Sequence, residues 1–194
     1  MNNLFSYAKY AAFAMIALMI GRLIMFHCNP GITNLIITDL LFFATYLLIC
    51  GFFVGLINNS QKGSPVITPS VIGVIGNGLL IICVIMSIPN SINVINEGIP
   101  IKLLDAPARV LNTIGNLVCC VAFIYLSFYF KRASASQVAS WAIVLVNIVG
   151  LMERVIKPWF WEQLYYMIYL HTIVVLIYGA YIWFLLSFAN LKRK

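Results

Sequence analysis

The fold is decided by the stretch 21-GRLIMFHCNPGITNLIITDLL-41. Two apolar runs flank the turn at 29-NPG-31, and each run extends far enough to cross a bilayer, which takes about 20 apolar residues. Arg22 and Asp39 lie inside these runs, where a membrane makes charge costly. The stretch therefore predicts a transmembrane helical hairpin with ionisable groups inside it.

Composition extends this interpretation to the whole chain. Of the 194 residues, 63% are hydrophobic and 9% are charged, whereas ordinary soluble domains have roughly 45–50% apolar and about 25% charged residues. Because each crossing takes about 20 residues, the length provides for about six crossings and no separate soluble module. We expect an all-α, polytopic transmembrane helical bundle that forms one integral membrane domain over residues 1–194.

Apolar runs between clusters of Pro, Gly, Asn and Ser predict six spans. They lie near residues 4–26, 34–57, 71–89, 107–130, 138–156 and 164–187. All seven prolines fall in connectors or at span ends, so none is predicted to interrupt a crossing. The first span is expected to be retained, because it is longer than the apolar core of a signal peptide.

Lysine and arginine are distributed unequally between the two sides. The side that holds the amino terminus carries seven basic residues and no acidic one: Lys9, Lys62, Lys131, Arg132, Lys192, Arg193 and Lys194. The other side mixes both signs: Lys102, Arg109, Arg154 and Lys157 with Glu97, Asp105, Glu153 and Glu162. The positive-inside rule then predicts that both termini are cytoplasmic. The net charge of +7 is explained in this way without a nucleic-acid partner, and a bacterial inner membrane is the expected location.

Polar residues within the spans gather toward the predicted outer ends. Arg22 and Asp39 lie at similar depth on the two sides of a short hairpin, so an ion pair between them is the leading expectation. The alternatives are contact with a ligand or ion, and snorkelling of Arg22 to the interface.

Spans four and five each carry a polar stripe at helical spacing. The stripes are Asp105, Arg109, Asn112 and Asn116, continued by Cys119 and Cys120, and then Ser140, Asn147 and Arg154. Each stripe is expected to face away from lipid, as hydrogen-bonding residues that hold helices together or as the lining of a solute path. The candidate intramembrane polar cluster comprises Arg22, Asp39, Arg109, Asn112, Asn116, Asn147, Arg154 and His171.

Cofactor and enzyme signatures are weak in this sequence. His27 and His171, the two histidines, differ in predicted depth by roughly 10 Å at 1.5 Å per residue, which disfavours a haem held by both. A metal site using these histidines with Cys28 and Asp39 has suitable ligands but no motif spacing. No metalloprotease, serine hydrolase, Walker or dinucleotide motif is present. We therefore assign no catalytic, cofactor or metal-binding residue, and His171 is predicted to hydrogen-bond between helices.

Small residues favour close helix packing. Gly51 and Gly55 form a G-x-x-x-G pair, and three glycines at 73, 76 and 78 leave one face of span three nearly bare. The sequence Ile-Gly-Asn occurs at 75–77 and again at 114–116, which biased composition is sufficient to explain.

Three functional hypotheses follow. The first is a subunit or accessory component of a membrane complex that binds other membrane proteins or itself, favoured by the short connectors, packing glycines and polar stripes. The second is a transporter or channel for a small solute, expected to be anionic because three arginines lie toward the outer side. The third is a haem or metal redox protein that uses His27 and His171.

Overall fold

The computed structural model describes residues 2–27, 32–97, 106–132, 141–142, 144–145, 148, 172, 175–176 and 178–187. These residues form four long helices and a shorter one: α1 (Asn2–His27), α2 (Ile32–Asn59), α3 (Ile67–Glu97), α4 (Ala106–Arg132) and α5 (Tyr178–Ser187). Every regular element in this part of the chain is helical, which confirms the all-α prediction.

Three of these helices contain segments that are long and apolar enough to cross a membrane: Ile36–Asn59, Ile67–Pro89 and Val110–Phe128. Helix α1 contributes a shorter apolar segment, Ser6–Gly21, and α5 is apolar throughout. The first four predicted spans coincide with α1 to α4, whereas most of the predicted spans 138–156 and 164–187 lies outside the described residues.

Consecutive helices pack side by side, α1 on α2, α2 on α3 and α3 on α4. The turn between α2 and α3 is tight: Ser60 N donates to Ile57 O at 3.2 Å and Ser64 N donates to Gln61 O at 3.0 Å. Gly63 in this turn has a φ of 83°, a conformation that a side chain would strain. The turn reverses the chain and makes α2 and α3 antiparallel neighbours.

Helix α3 is longer than predicted. We expected the connector to begin at residue 90, but the helix continues past Pro89 to Glu97. Proline interrupts a helix by removing one N–H donor and crowding the carbonyl four residues earlier. Here it stands at the end of the apolar segment Ile67–Pro89, and the helix continues beyond it as the more polar stretch 90–97.

Each long helix presents large apolar side chains outward. On α4 these recur along one face, at Val110, Ile114, Val121, Tyr125 and Phe128, each more than two fifths exposed. Soluble proteins rarely expose continuous apolar faces of this kind. Exposure of apolar side chains to lipid tails carries no hydrophobic penalty, because the tails are equally apolar. This agrees with the apolar lengths of the helices.

The tightly packed core lies at one end of the bundle. It joins the first half of α1, the second half of α2, the start of α3, the second half of α4 and all of α5. Its buried members include Ala8, Ala11, Ala12, Phe52, Phe53, Phe123, Leu126, Tyr181, Phe184 and Leu185. We call this the aromatic end, and the opposite end, where α1 and α3 finish and α2 and α4 begin, the polar end.

Candidate functional site

The register of α1 against α2 brings two candidate residues to one level. A Cβ atom placed on Gly21 would lie 3.5 Å from Leu41 Cδ1, so these two positions are neighbours across the helix pair. Arg22 follows Gly21 directly, and Asp39 lies about half a turn from Leu41. The Arg22 side chain lies outside the described part of the structure, so the predicted ion pair with Asp39 remains a prediction.

Helix α3 carries a buried cysteine, Cys83, in its second half. The buried Cys83 Sγ donates a hydrogen bond of 3.3 Å to Ala108 O near the start of α4. Cys83, which the sequence presents only as a small apolar residue, therefore links α3 to α4.

The other candidates divide into two groups. Arg109 follows Ala108 in α4, at the level of Cys83, although its side chain lies outside the described part. Asn112 and Asn116 lie one and two turns further from the polar end, and both are partly buried. Three candidates fall outside the described residues altogether: Asn147, Arg154 and His171.

Helices α3 and α4 cross at two glycines, one on each helix. A Cβ on Gly76 would lie 2.7 Å from Cys119 Sγ and 3.1 Å from Gly115 O, and a Cβ on Gly115 would lie 2.9 Å from Leu80 Cγ and 3.1 Å from Gly76 O. Each glycine thus meets the other's carbonyl and the residue four positions beyond the other. This contact is reciprocal, as in two antiparallel helices related by a local two-fold axis.

The two copies of Ile-Gly-Asn therefore meet at this crossing. The reciprocal contact places Asn77 and Asn116, each following its glycine, on the same side of the helix pair. That side faces α2, because Gly73, one turn before Asn77, packs directly against the Phe53 ring. Phe123, two turns beyond Asn116, also contacts Phe53, with ring centroids 5.1 Å apart. Both asparagines thus lie on the interior side of the α3/α4 pair.

The hydrogen bonds of these amides fix their orientation. Asn77 Nδ2 donates to Gly73 O at 2.8 Å, and Asn116 Nδ2 donates to Asn112 O at 2.7 Å and to Asn112 Oδ1. A backbone carbonyl only accepts hydrogen bonds, so the bonded atom must be the nitrogen in each case. Each asparagine consequently anchors its nitrogen on its own helix, and within the described part of the chain no donor reaches its Oδ1.

Asn77 is the residue that sequence reasoning missed. It is 1% exposed and lies at the midpoint of the apolar segment Ile67–Pro89. Among the residues that the structure describes, no donor reaches its Oδ1. The available signal was the repeated Ile-Gly-Asn, since a buried amide beside a packing glycine recurs on both helices.

Buried hydroxyl groups also bond within their own helices. Thr45 Oγ1 donates to Leu41 O at 2.7 Å, Ser70 Oγ to Val66 O at 2.7 Å, and Ser127 Oγ to Ile124 O at 2.8 Å. Such bonds satisfy the hydroxyl but do not join two helices. In these positions helix association comes from glycine contacts and side-chain packing.

Phe123 closes the aromatic end. Its ring centroid lies 4.7 Å from Tyr181 and 6.2 Å from Phe184, both in edge-to-face geometry, besides its contact with Phe53. The four rings join α2, α4 and α5 on the same side of α4 that carries Asn112 and Asn116 further along. The interior face of α4 therefore changes from amides to aromatic rings along its length.

Within the described residues, no three histidine, cysteine, aspartate or glutamate side chains come together as a metal site would require. The chain matches no protein-family model, no curated protein and no solved structure. Function has to be argued from the placement of these groups.

Proposed function

We propose that the chain is a transporter or channel whose interior admits a small polar solute from the polar end as far as the middle of the membrane. The observation that supports this proposal is that the side chains on one interior face change from polar to aromatic along its length. Asp39, Cys83 and Asn112 lie toward the polar end, Asn77 and Asn116 at mid-depth, and the rings around Phe123 close the other end. A polar half ending at an apolar closure is the arrangement expected of a site that opens to one side.

The glycine contacts remove one argument for the competing hypothesis. Gly51 packs on the Tyr7 ring, Gly73 on Phe53, and Gly76 on Gly115. Close approach at these glycines is therefore used inside the bundle, and the described asparagines hydrogen-bond within their own helices. These glycines and the asparagines of α4 therefore do not by themselves require a separate protein partner.

Six spans, cytoplasmic termini and a bacterial inner membrane form part of the proposal. With that orientation the polar end opens to the outer side, and the aromatic end lies beside the basic cytoplasmic loops. Lys9, exposed on α1, lies at the aromatic end with its Nζ 5.8 Å from the Phe13 ring centroid.

The proposal is tested by cysteine accessibility. In a background without native cysteines, Asn112→Cys is compared with Ile114→Cys, which is at nearly the same depth but on the lipid-facing stripe of α4. A membrane-impermeant thiol reagent is added to one side of sealed vesicles at a time. We expect Asn112→Cys to react from one side only, about tenfold faster than Ile114→Cys, because water stabilises the reactive thiolate. Equal rates at the two positions, or no reaction at Asn112→Cys, would contradict a water-filled polar half.

The subunit hypothesis remains as the second candidate because of one observation on α3. Its outward stripe runs through Val71, Ile75, Gly78, Ile82 and Ile85. A Cβ on Gly78 would meet no atom within 4 Å, so this glycine at mid-depth has space beside it. A partner helix at this stripe predicts that Gly78→Leu abolishes a stoichiometric complex in mild detergent, whereas Ile82→Leu preserves it. If the chain purifies alone in both cases, this candidate fails.

A further inference from the structure

The two asparagines at the α3/α4 crossing, Asn77 and Asn116, have a hydrogen-bonding arrangement that the polar stripe of span four did not predict. Both anchor their nitrogen on a backbone carbonyl of their own helix and keep Oδ1 as an acceptor. The two Oδ1 atoms belong to equivalent positions of a reciprocal contact, on the side of the pair that faces α2. The interior at mid-depth therefore offers hydrogen-bond acceptors.

Asn77 gives the strongest support for an acceptor that is available to a ligand. Its side chain is 1% exposed, and no donor reaches Oδ1 among the described residues. Leaving a polar group unpaired in an apolar interior is costly, so buried polar groups in native proteins nearly always have a partner. A buried acceptor that no described donor reaches, near the midpoint of the apolar segment, could bind a ligand that supplies the donor.

We propose that Asn77 and Asn116 form a binding site for a solute that carries hydrogen-bond donors, such as hydroxyl or ammonium groups. The assignment rests on the solute path proposed above and specifies its chemistry. At the two Oδ1 atoms an anion would bring acceptor oxygen against acceptor oxygen, so these atoms favour a donor-bearing solute over the anion that the arginines suggest, and the second N–H of Asn77 Nδ2 can donate to the oxygen of a hydroxyl group. Selectivity for ligands with donors is expected to be strong, because a ligand without a donor would leave the buried acceptor unpaired, which costs binding free energy.

The test uses the full-length protein in proteoliposomes with three probes: methylammonium, glycerol and sulfate. The first two carry donors, one charged and one neutral, and sulfate carries only acceptors. Uptake is measured against protein-free vesicles for wild type, Asn77→Ser and Asn116→Ser. Serine suits this purpose because buried serines in this fold bond their own helix backbone, as Ser70 does, while the acceptor that extends from the helix is removed.

The matched control is Asn59→Ser. Asn59 Nδ2 donates to Gly55 O at 2.7 Å, the same anchoring as in Asn77, but the residue is exposed at the end of α2. We expect uptake of methylammonium or glycerol to fall about tenfold in Asn77→Ser, less in Asn116→Ser and not at all in Asn59→Ser. Whichever donor-bearing probe enters identifies the charge of the ligand. Size-exclusion profiles show whether each variant is folded.

The other outcomes separate the two proposals. Donor-bearing probes that enter wild type and Asn77→Ser equally would overturn the site and leave Asn77 with a structural water only, while the solute path stands. Uptake of sulfate alone would also overturn the site but support the path. If none of the probes enters, the site is overturned, and the path is then judged by the reactivity of Asn112→Cys.

Discussion

The two ends of the bundle are built on opposite principles. At the aromatic end three rings from α2 and α5 pack edge to face around Phe123 of α4, beside small alanines of α1. Toward the polar end lie the buried Cys83 and the partly buried Asp39 and Asn112. The aromatic end contains the cluster of buried hydrophobic residues, whereas polar side chains lie toward the other end. The difference suggests a structural task for the first and a functional one for the second.

The glycine crossing between the ends should be the most sensitive point. In Gly76→Val the new Cβ would meet Cys119 Sγ at 2.7 Å and the Cys119 backbone nitrogen at 2.9 Å. Overpacking against backbone leaves little room for relaxation, and we expect a loss of about 3 kcal/mol. The measurement is the melting temperature in detergent followed by fluorescence-detected size exclusion. Gly78→Val, with open space around it, serves as the control and should melt near wild type.

Removing the central ring should weaken the aromatic end almost as much. Phe123→Ala deletes three aromatic contacts in a position that is 2% exposed. Because the side chain would otherwise face lipid rather than water, mainly the cavity cost applies, about 2–3 kcal/mol. Phe128→Ala, on the exposed stripe of the same helix, should cost far less. Similar melting temperatures for the two variants would mean that the ring cluster does not hold this end together.

A charge at the polar end should matter less than the core. If Asp39, which is partly buried, neutralises Arg22, Asp39→Asn leaves that arginine without its partner, at a cost of about 1–2 kcal/mol, between exposed and buried pairs. The measurable result is a lower folded yield. Changing both residues to leucine should restore much of that yield, since an apolar pair has no uncompensated charge. Failure of the double variant to recover would contradict the ion pair.

Buried hydroxyls should contribute least. Thr45→Val keeps the shape of the side chain and removes a hydrogen bond that stays within α2. Since Leu41 O already takes part in the helix, we expect a change of less than about 0.5 kcal/mol in unfolding free energy. A large loss of melting temperature would show that this hydroxyl also joins α2 to another helix.

The apolar segments of α2, α3 and α4 could be predicted from sequence because bilayer thickness fixes the length of an apolar run. The end of α3 could not, because 90-NSINVINE-97 is polar and follows a proline, although proline does not end a helix whose outer turns are hydrated. Asn112 and Asn116 could be predicted to share one face of α4, because their spacing matches the helical period. Asn77 belongs to no stripe, and the repeated Ile-Gly-Asn that contains it gains meaning only once the Gly76–Gly115 contact is known.

By itself the sequence determined that this protein is an α-helical chain with apolar segments long enough to cross a membrane, because every backbone polar group must be satisfied within an apolar segment. Only the tertiary structure decided which faces meet. It brought the two Ile-Gly-Asn copies together, turned Asn77 and Asn116 toward α2, and put the rings around Phe123 at the opposite end. Sequence periodicity defines the polar and apolar faces of each helix. Which faces pack together depends on shape complementarity between residues that are distant in the sequence, and the role of a glycine in that packing is visible only in the folded structure.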